Sequence, residues 1–208
     1  RVSGADKHHL PTLKDVCEAI ETRFSELAAQ HVHIDSISFT GNGEPTLHPA
    51  FPQIIDYIVE ARDRYLPGAK VSVFTNATRL DRSEIVAALR KADNPILKID
   101  VSDTALMERL NRPNVPFVPQ DAVAGMMLFD GDFTMQTMFV KGDVVDNSTA
   151  EALEGWYKVV RQTRPRSIMA YSIDRETPVS GLVKVSVEEL RSIAAPLIAE
   201  GFDVKINA

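Results

Sequence analysis

Residues Ile34–Leu47 have the sequence Ile-Asp-Ser-Ile-Ser-Phe-Thr-Gly-Asn-Gly-Glu-Pro-Thr-Leu, in which an apolar segment runs into a glycine-flanked turn. The apolar segment predicts a strand. Gly41 and Gly43 can take backbone angles that other residues avoid, and they let a ligand approach the main chain. Glu44 adds a carboxylate, and Pro45 stiffens the exit. We therefore predict a binding loop for a small molecule with an amino group, the alternative being a purely structural strand-to-helix turn.

Strand and helix patterns alternate along the rest of the chain. Predicted strands cover residues 34–40, 70–75, 96–101, 133–140, 167–173 and 202–206. Apolar residues at helical spacing predict helices before and between these strands, and helix starts are indicated by the pairs Asp81–Glu84, Ser148–Glu151 and Ser186–Glu189. Residues 111–120 contain three prolines and predict an irregular loop. The alternation is typical of one parallel α/β domain over residues 1–208, either a doubly wound sheet or a barrel.

Polar residues follow the predicted strands at the ends where parallel α/β folds bind their ligands. They occur at Gly41–Glu44, Thr75–Asn76, Asp100–Ser102, Lys141–Gly142 and Asp174–Arg175. Because the carboxyl ends of parallel strands share one edge of the sheet, we expect all five groups to line one mouth.

Three segments resemble the radical S-adenosylmethionine superfamily. Gly41–Pro49 is similar to the family's Gly-Gly-Glu-Pro loop, Thr75–Thr78 is similar to its Thr-Asn-Gly strand end, and Leu97–Asp100 lies on the strand that follows. The resemblance implies a partial (β/α)6 TIM-like barrel of parallel strands. It also implies two cofactors, S-adenosylmethionine and a 4Fe-4S cluster.

The resemblance further implies which residues bind S-adenosylmethionine. In the family the glycine-rich loop holds the methionyl amino group. The corresponding residues here are Gly41, Asn42, Gly43, Glu44 and Pro45, and Glu44 takes that role. Later strands supply contacts to the carboxylate and ribose, and the corresponding candidates are Asn76, Lys98, Asp100, Gln136 and Arg175.

Several of these candidates have structural alternatives. Lys98 and Asp100 share one strand face by their two-residue spacing and could simply pair with each other. Gln136 lies in an otherwise apolar strand, where its amide needs either a ligand or a partner in the core. Arg175 belongs either to a charged surface turn or to a clamp for a carboxylate.

The cysteine content departs from the family pattern. Family members bind the cluster through three cysteines, usually spaced CxxxCxxC, in the loop after the first strand. Cys17 is the only cysteine in this sequence and cannot supply the several thiolates that a cluster needs. We therefore expect an N-terminally incomplete barrel, with the first strand and the cluster loop absent from this chain. The five histidines complete no familiar metal-ligand spacing, so no metal ligands are predicted here.

Composition limits the class of protein. The 208 residues are 44% hydrophobic and 25% charged, values typical of one globular domain. No apolar run approaches the roughly 20 residues that cross a bilayer, and no signal-peptide pattern is present, so we predict a cytoplasmic protein without membrane contact. A net charge of -6 argues mildly against a broad nucleic-acid-binding surface.

The leading functional hypothesis is a radical S-adenosylmethionine Fe-S oxidoreductase. As the resemblance implies, the full-length protein would cleave S-adenosylmethionine reductively and form a 5'-deoxyadenosyl radical that abstracts hydrogen, whereas the fragment alone would be inactive. Expected partners are an electron donor such as flavodoxin or ferredoxin and a small-molecule, peptide or RNA substrate. The alternatives are a lyase or aldolase without the cluster that uses Lys98 and Asp100, and a non-enzymatic domain that binds nucleosides or protein partners.

Overall fold

The structure is a computed structural model that describes residues 10–41, 43–174 and 181–207. Helices in this part of the chain are α1 (Leu13–Ala29), α2 (Phe51–Tyr65), α3 (Ser83–Leu89), α4 (Thr104–Asn111), α5 (Pro119–Met127), α6 (Ala150–Thr163) and α7 (Val187–Ala199). Strands are β1 (Ser36–Phe39), β2 (Lys70–Thr75), β3 (Asn94–Lys98), β4 (Thr134–Lys141), β5 (Ser167–Ser172), β6 (Val183–Lys184) and β7 (Val204–Asn207). A short 3-10 turn at Pro45–Leu47 follows the glycine-flanked segment.

Strand order decides between the two predicted architectures. The sheet runs β1-β2-β3-β4-β5-β7 with every neighbouring pair parallel, and β6 pairs antiparallel with the end of β4. Because right-handed crossovers between sequential neighbours keep the helices on one face, this is barrel-type winding and not a doubly wound sheet. The predicted α/β fold of a partial barrel is confirmed, and the sheet is open among the residues described.

All six parallel strands lie within residues 36–207. The sheet therefore reaches the expected number of strands inside this chain. The further strand and cluster loop expected before residue 1 are not tested by the described residues.

Alternate residues of each strand face opposite sides of the sheet. One side packs against the helices and forms the core, where Val73, Leu97 and Met135 are completely buried. The other side carries side chains of mixed polarity, including Lys98 on β3 and Gln136 on β4, which are register partners. The sequence spacing of polar residues thus places these two candidates on the face away from the helices.

Helix starts follow the predicted capping pattern in one case of three. Ser186 and Glu189 form the predicted capping box of α7, with each side chain accepting from the other's backbone N–H. The Asp81–Glu84 prediction is wrong, because α3 begins at residue 83 and its N-cap side chain makes no capping bond. At α6 the capping hydroxyl belongs to Thr149, one residue later than predicted. Adjacent residues of similar capping propensity explain this small shift.

Charged side chains form a hydrogen-bonded network at the amino-terminal ends of β2 and β3. Asp93 accepts hydrogen bonds from the Val71 backbone N–H (2.9 Å), the Arg62 guanidinium (2.6 Å) and the Lys70 ammonium (3.1 Å). Partial burial raises the pKa of Asp93, but these donors outweigh burial and lower it from 3.8 to about 2. The network ties α2, β2 and the start of β3 together.

Candidate functional site

Glu44 joins the turn after β1 to the end of β2. Its Oε1 atom accepts hydrogen bonds from the Thr46 backbone N–H (3.1 Å), the Thr46 hydroxyl (2.6 Å) and the Thr75 hydroxyl (2.6 Å). Its Oε2 atom accepts from the Asn76 backbone N–H at 2.7 Å. A carboxylate oxygen has two lone pairs, so Oε2 retains capacity for one more donor. The side chain is therefore both an anchor within the protein and an acceptor for a ligand.

The glycines of this turn leave space beside the main chain. A Cβ atom built on Gly43 would meet no other atom within 4 Å, and one on Gly41 would meet only the Gly43 backbone, at 3.4 Å. The backbone of Gly41 is outside the left-handed region, so the predicted use of special angles is wrong at that position. What glycine provides here is open access to the backbone. Asn42, also predicted to bind the cofactor, lies outside the described residues.

The turn after β2 is shaped by Asn76 and Ala77. The Asn76 Oδ1 atom accepts from the backbone N–H and the hydroxyl of Thr78, at 3.1 and 2.7 Å. Its Nδ2 group has no acceptor in the described part of the chain. Ala77, at the position where the family segment has glycine, adopts a φ of 61°, in the left-handed region that favours glycine. Ala77 therefore has a backbone conformation that favours glycine, the residue of the family segment at this position.

Lys98 and Asp100 form an ion pair, which is the structural alternative for these two candidates. The Asp100 carboxylate also accepts from the Asn111 side-chain amide (3.0 Å) and the Met138 backbone N–H (2.9 Å). The Asp100 side chain is 1% exposed, whereas that of Lys98 is 26% exposed. Asp100 is thus fully bound by the protein, while Lys98 keeps donors that can reach a ligand.

A cavity of about 190 Å³ brings three predicted residues together. Asn76, Lys98 and Asp100 line it with Asn111, and its apolar wall contains Ile99, Val101, Met107, Phe117, Pro119 and Ala122. Glu44 is connected to this cavity by the hydrogen bond that its Oε2 atom accepts from the Asn76 backbone N–H.

The structure divides the described members of the predicted polar groups between two adjacent depressions, which share Val101. Val101 and Ser102 line a second depression with Gly142, next to the first cavity. Lys141 is paired with Glu189 of α7. This ion pair and the capping bonds from Ser186 lower the pKa of Glu189 to about 2. Lys141 therefore anchors α7 to the end of β4.

Gln136 and its neighbour Thr137 have opposite roles. Thr137 faces the core, where its hydroxyl donates to the Ile99 carbonyl (2.7 Å) and accepts from the Trp156 indole N–H (3.0 Å). Gln136 faces away from the helices, and its half-buried amide has no hydrogen-bond partner among residues 10–41, 43–174 and 181–207. This accessible amide keeps Gln136 as a ligand candidate.

Arg175 lies outside the described residues. Its neighbour Asp174 has an 82% exposed side chain that pairs with Lys184 at 3.2 Å. The described end of this segment is therefore a charged surface, and the choice between the two alternatives for Arg175 stays untested.

Tyr171 lies near the candidate site, and the sequence did not single it out. It lies on β5 opposite Met138 of β4, on the same sheet face as Lys98. Burial, followed by the negative charge of Asp100, raises the pKa of Tyr171 to about 12. The hydroxyl therefore remains a donor at neutral pH. The sequence offered one signal for Tyr171. It lies two residues after Met169, near the end of the predicted strand 167–173.

The described residues contain no group of three or more His, Cys, Asp or Glu side chains that could hold a metal ion. Cys17 is isolated on α1, and burial raises the pKa of its thiol. This part of the chain does not fit a 4Fe-4S cluster, because a cluster needs several thiolates. The Gly43–Glu44 turn does fit a ligand with an ammonium group, since it combines a free backbone face with a carboxylate acceptor. None of the described helices is long and apolar enough to span a bilayer.

Comparison with known sequences gives distant relatives. No family model matches the chain. A protein named GTPase Obg from Brachyspira hyodysenteriae is 25% identical over 169 residues, which are 79% of this chain and 24% of that protein. A UPF0026 protein from Helicobacter pylori is 24% identical over 176 residues, 83% of this chain and 54% of that protein. The chain thus spans a quarter to about half of these relatives. These 208 residues contain no Gly-x4-Gly-Lys-Ser/Thr phosphate-binding motif.

Solved structures share the fold. A domain of pyruvate-formate lyase-activating enzyme from Bacteroides vulgatus has a TM-score of 0.59 and 16% identity, covering 84% of this chain and 99% of that one. SuiB from Streptococcus suis bound to S-adenosylmethionine has a TM-score of 0.66 and 14% identity, covering 92% and 43%. SuiB has also been solved with precursor peptide SuiA.

A radical SAM methyltransferase from Sphaerobacter thermophilus has a TM-score of 0.66 and 14% identity, covering 93% of this chain and 56% of that one. The resemblance found in Gly41–Pro49 is therefore confirmed at the level of the fold.

Proposed function

We propose that this chain is the S-adenosylmethionine-binding barrel of a radical SAM Fe-S oxidoreductase. In this proposal the whole protein cleaves S-adenosylmethionine reductively and uses the 5'-deoxyadenosyl radical to abstract hydrogen from its substrate. A 4Fe-4S cluster would supply the electron, and its cysteines would have to come from residues other than these 208. The described residues act by binding and orienting the cofactor.

The observation that carries this proposal is the geometry of Gly43 and Glu44. The turn stands at the carboxyl end of a parallel sheet, where such folds bind ligands. Its backbone face is open, and the free lone pair of Glu44 Oε2 suits the methionyl ammonium group. Asn76 and Lys98, with unused N–H donors nearby, suit the carboxylate or the ribose hydroxyls, and Gln136 extends the same sheet face.

A pair of glycine variants tests this assignment. Gly43→Val places a side chain where a ligand would approach, and the space beside Gly43 is empty of protein atoms. We expect S-adenosylmethionine affinity, measured by calorimetry, to fall at least about tenfold, because a sterically blocked site loses its main contacts. Gly68→Val, also in open space but between α2 and β2, is the control and should bind normally.

Equal binding by wild-type protein and both variants would contradict the role of the turn. Thermal unfolding of each variant shows whether a loss of affinity reflects the site or the fold.

The proposal extends to the class of substrate and to the partners of the whole protein. SuiB, a neighbour with the same fold, has been solved with precursor peptide SuiA, which supports a peptide among the candidate substrates. A small molecule and RNA are the other two classes. An electron donor of the flavodoxin or ferredoxin type and a cytoplasmic location complete the proposal. Mass spectrometry of 5'-deoxyadenosine formed by the anaerobic full-length protein distinguishes this enzyme from a non-enzymatic binding domain.

The lyase alternative receives no support from the site. It requires Asp100 to exchange a proton with substrate next to a nucleophilic Lys98. Asp100 is 1% exposed and accepts hydrogen bonds from Lys98, Asn111 and Met138. Both oxygens of Asp100 already accept hydrogen bonds from the protein.

A further inference from the structure

Asn147 is a buried polar residue in the loop between β4 and α6, and it is 2% exposed. Its Oδ1 atom accepts a hydrogen bond from the Val140 backbone N–H at 2.8 Å. Its Nδ2 group donates to the backbone carbonyls of Asp100 and Met138, at 2.9 and 2.7 Å. Because both N–H groups of the amide are used in this way, Asn147 binds backbone and not a ligand.

The backbone ladder between β3 and β4 ends beside Lys98. The last register pair is Lys98 with Gln136, and one further backbone bond follows, from the Ile99 N–H to the Gln136 carbonyl at 3.0 Å. The Ile99 carbonyl accepts from a side chain, the Thr137 hydroxyl, at 2.7 Å. Beyond this point the two strands are therefore joined through side chains.

Asp100 and Asn147 complete this connection. The Asp100 carboxylate accepts from the Met138 backbone N–H at 2.9 Å, and the Asn147 amide donates to the Met138 carbonyl. Both backbone polar groups of Met138 are thus bonded to side chains. Since the Asn147 amide also bonds the Asp100 carbonyl, it fixes the distance between β3 and β4 at Asp100.

The position of Asp100 in turn restrains Lys98. The two residues form an ion pair in which the Asp100 side chain is 1% exposed and that of Lys98 is 26% exposed. A lysine side chain has four flexible carbons, so its ammonium group is well placed for a ligand only when a partner holds it. A shift of the Asp100 backbone would move that partner.

We propose that Asn147 is a positioning residue for the cofactor site. It holds the Asp100 backbone against β4, so that the Asp100 carboxylate keeps Lys98 directed at the carboxylate or ribose of S-adenosylmethionine. The identity of this ligand rests on the proposed function, whereas the restraint on Lys98 does not.

Reductive methylation of lysines, followed by mass spectrometry, tests the restraint without any ligand. Asn147→Ala removes the three side-chain bonds and should release the ion pair. The methylation rate of Lys98 should then rise at least about threefold, because an ammonium group held in an ion pair is less available to reagent. Lys70, which pairs with Asp93 at the amino-terminal ends of the strands, is the internal reference and should keep its rate.

Ser172→Ala is the matched control. Ser172 is 4% exposed, and its hydroxyl donates to the Phe139 carbonyl (2.7 Å) and accepts from the Val185 backbone N–H (2.8 Å). It therefore also bonds the backbone of β4, but on the side that faces β5. Both variants should lose stability in urea, and only Asn147→Ala should change Lys98. Asn147→Ser, whose short hydroxyl cannot bond both carbonyls, makes the same comparison if the alanine variant does not fold.

Calorimetry with S-adenosylmethionine tests the link to the cofactor. Asn147→Ala should lower the affinity at least about fivefold, because a hydrogen bond from a charged donor is weakened, and Ser172→Ala should leave it unchanged. Lys98→Met removes the ammonium group. If Asn147 acts through Lys98, adding Asn147→Ala to Lys98→Met should cause little further loss.

The outcomes separate this proposal from the proposed function. Equal Lys98 methylation rates in wild type and in the folded Asn147 variant would overturn the restraint. Fully additive losses of affinity in the double variant would overturn the route through Lys98. If methylation changes as expected but wild-type protein binds no S-adenosylmethionine, the proposed function fails while the restraint by Asn147 stands.

Discussion

Replacing Glu44 by alanine should weaken the fold as well as cofactor binding. The substitution removes the acceptor of four hydrogen bonds that join the turn after β1 to the end of β2. The two hydroxyl donors can reorient towards other acceptors, but the backbone N–H groups of Thr46 and Asn76 cannot. An unsatisfied buried donor costs roughly 1–3 kcal/mol, and partial access of water at Asn76 reduces the total, so we expect a loss of about 2–3 kcal/mol.

Chemical and thermal denaturation measure this loss. For a domain of this size about 2–3 kcal/mol corresponds to a fall of about 5–10 °C in Tm. Glu44→Gln keeps one oxygen for Thr46 and Thr75 but turns an amide N–H towards the Asn76 N–H, so its loss should be smaller, about 1–2 kcal/mol. Glu154→Ala, which removes only an exposed pair with Lys158, is the control and should cost less than about 0.5 kcal/mol. An unfolding free energy of Glu44→Ala equal to that of the control would refute the anchoring role.

Two further perturbations probe the core and the base of the sheet. Thr137→Val leaves the Trp156 indole N–H without its acceptor, so the unfolding free energy should fall by about 1–3 kcal/mol. Thr163→Val is the control and should cost less, because the Thr163 hydroxyl bonds only to its own helix. Equal losses in urea denaturation would contradict the role of Thr137 as the acceptor for Trp156. The pKa of Asp93, lowered from 3.8 to about 2, means that its stabilisation is fully present above about pH 4 and is lost as the pH falls towards about 2. Asp93→Asn should flatten this part of the pH dependence of the unfolding free energy, and a profile parallel to that of wild type would count against the Arg62–Asp93 network.

Much of the fold was predictable because the periodicity of apolar residues is local. The segment 70–75 was predicted as a strand with the bounds that β2 has, and the barrel class followed from alternation and resemblance. The two-residue strand β6 could not be predicted, since it exists only through pairing with Val140 and Lys141, far away in the sequence. Barrel-type winding also required strand order, which periodicity does not contain.

The residues of the candidate site could be predicted from the sequence better than the contacts that they make. Two-residue spacing correctly placed Lys98 and Asp100 on one face, and their ion pair was one of the two alternatives. The partners of Glu44 were not predicted, because Thr75 and Asn76 approach it only after β1 and β2 pair. The amide of Gln136 and the core hydroxyl of Thr137 differ in role because alternate strand residues face opposite sides.

The sequential order of the parallel strands has a consequence for how the protein is made. Each strand through β5 pairs with the strand synthesised just before it, so a chain emerging from the ribosome can add one strand-helix unit at a time to an existing edge. The anchor of Glu44 can close as soon as Asn76 has emerged. The Met138 donor to Asp100 arrives only with β4, so the Glu44 anchor can form before the cavity beside Lys98 is complete, and a nascent chain halted between these points would carry the first without the second.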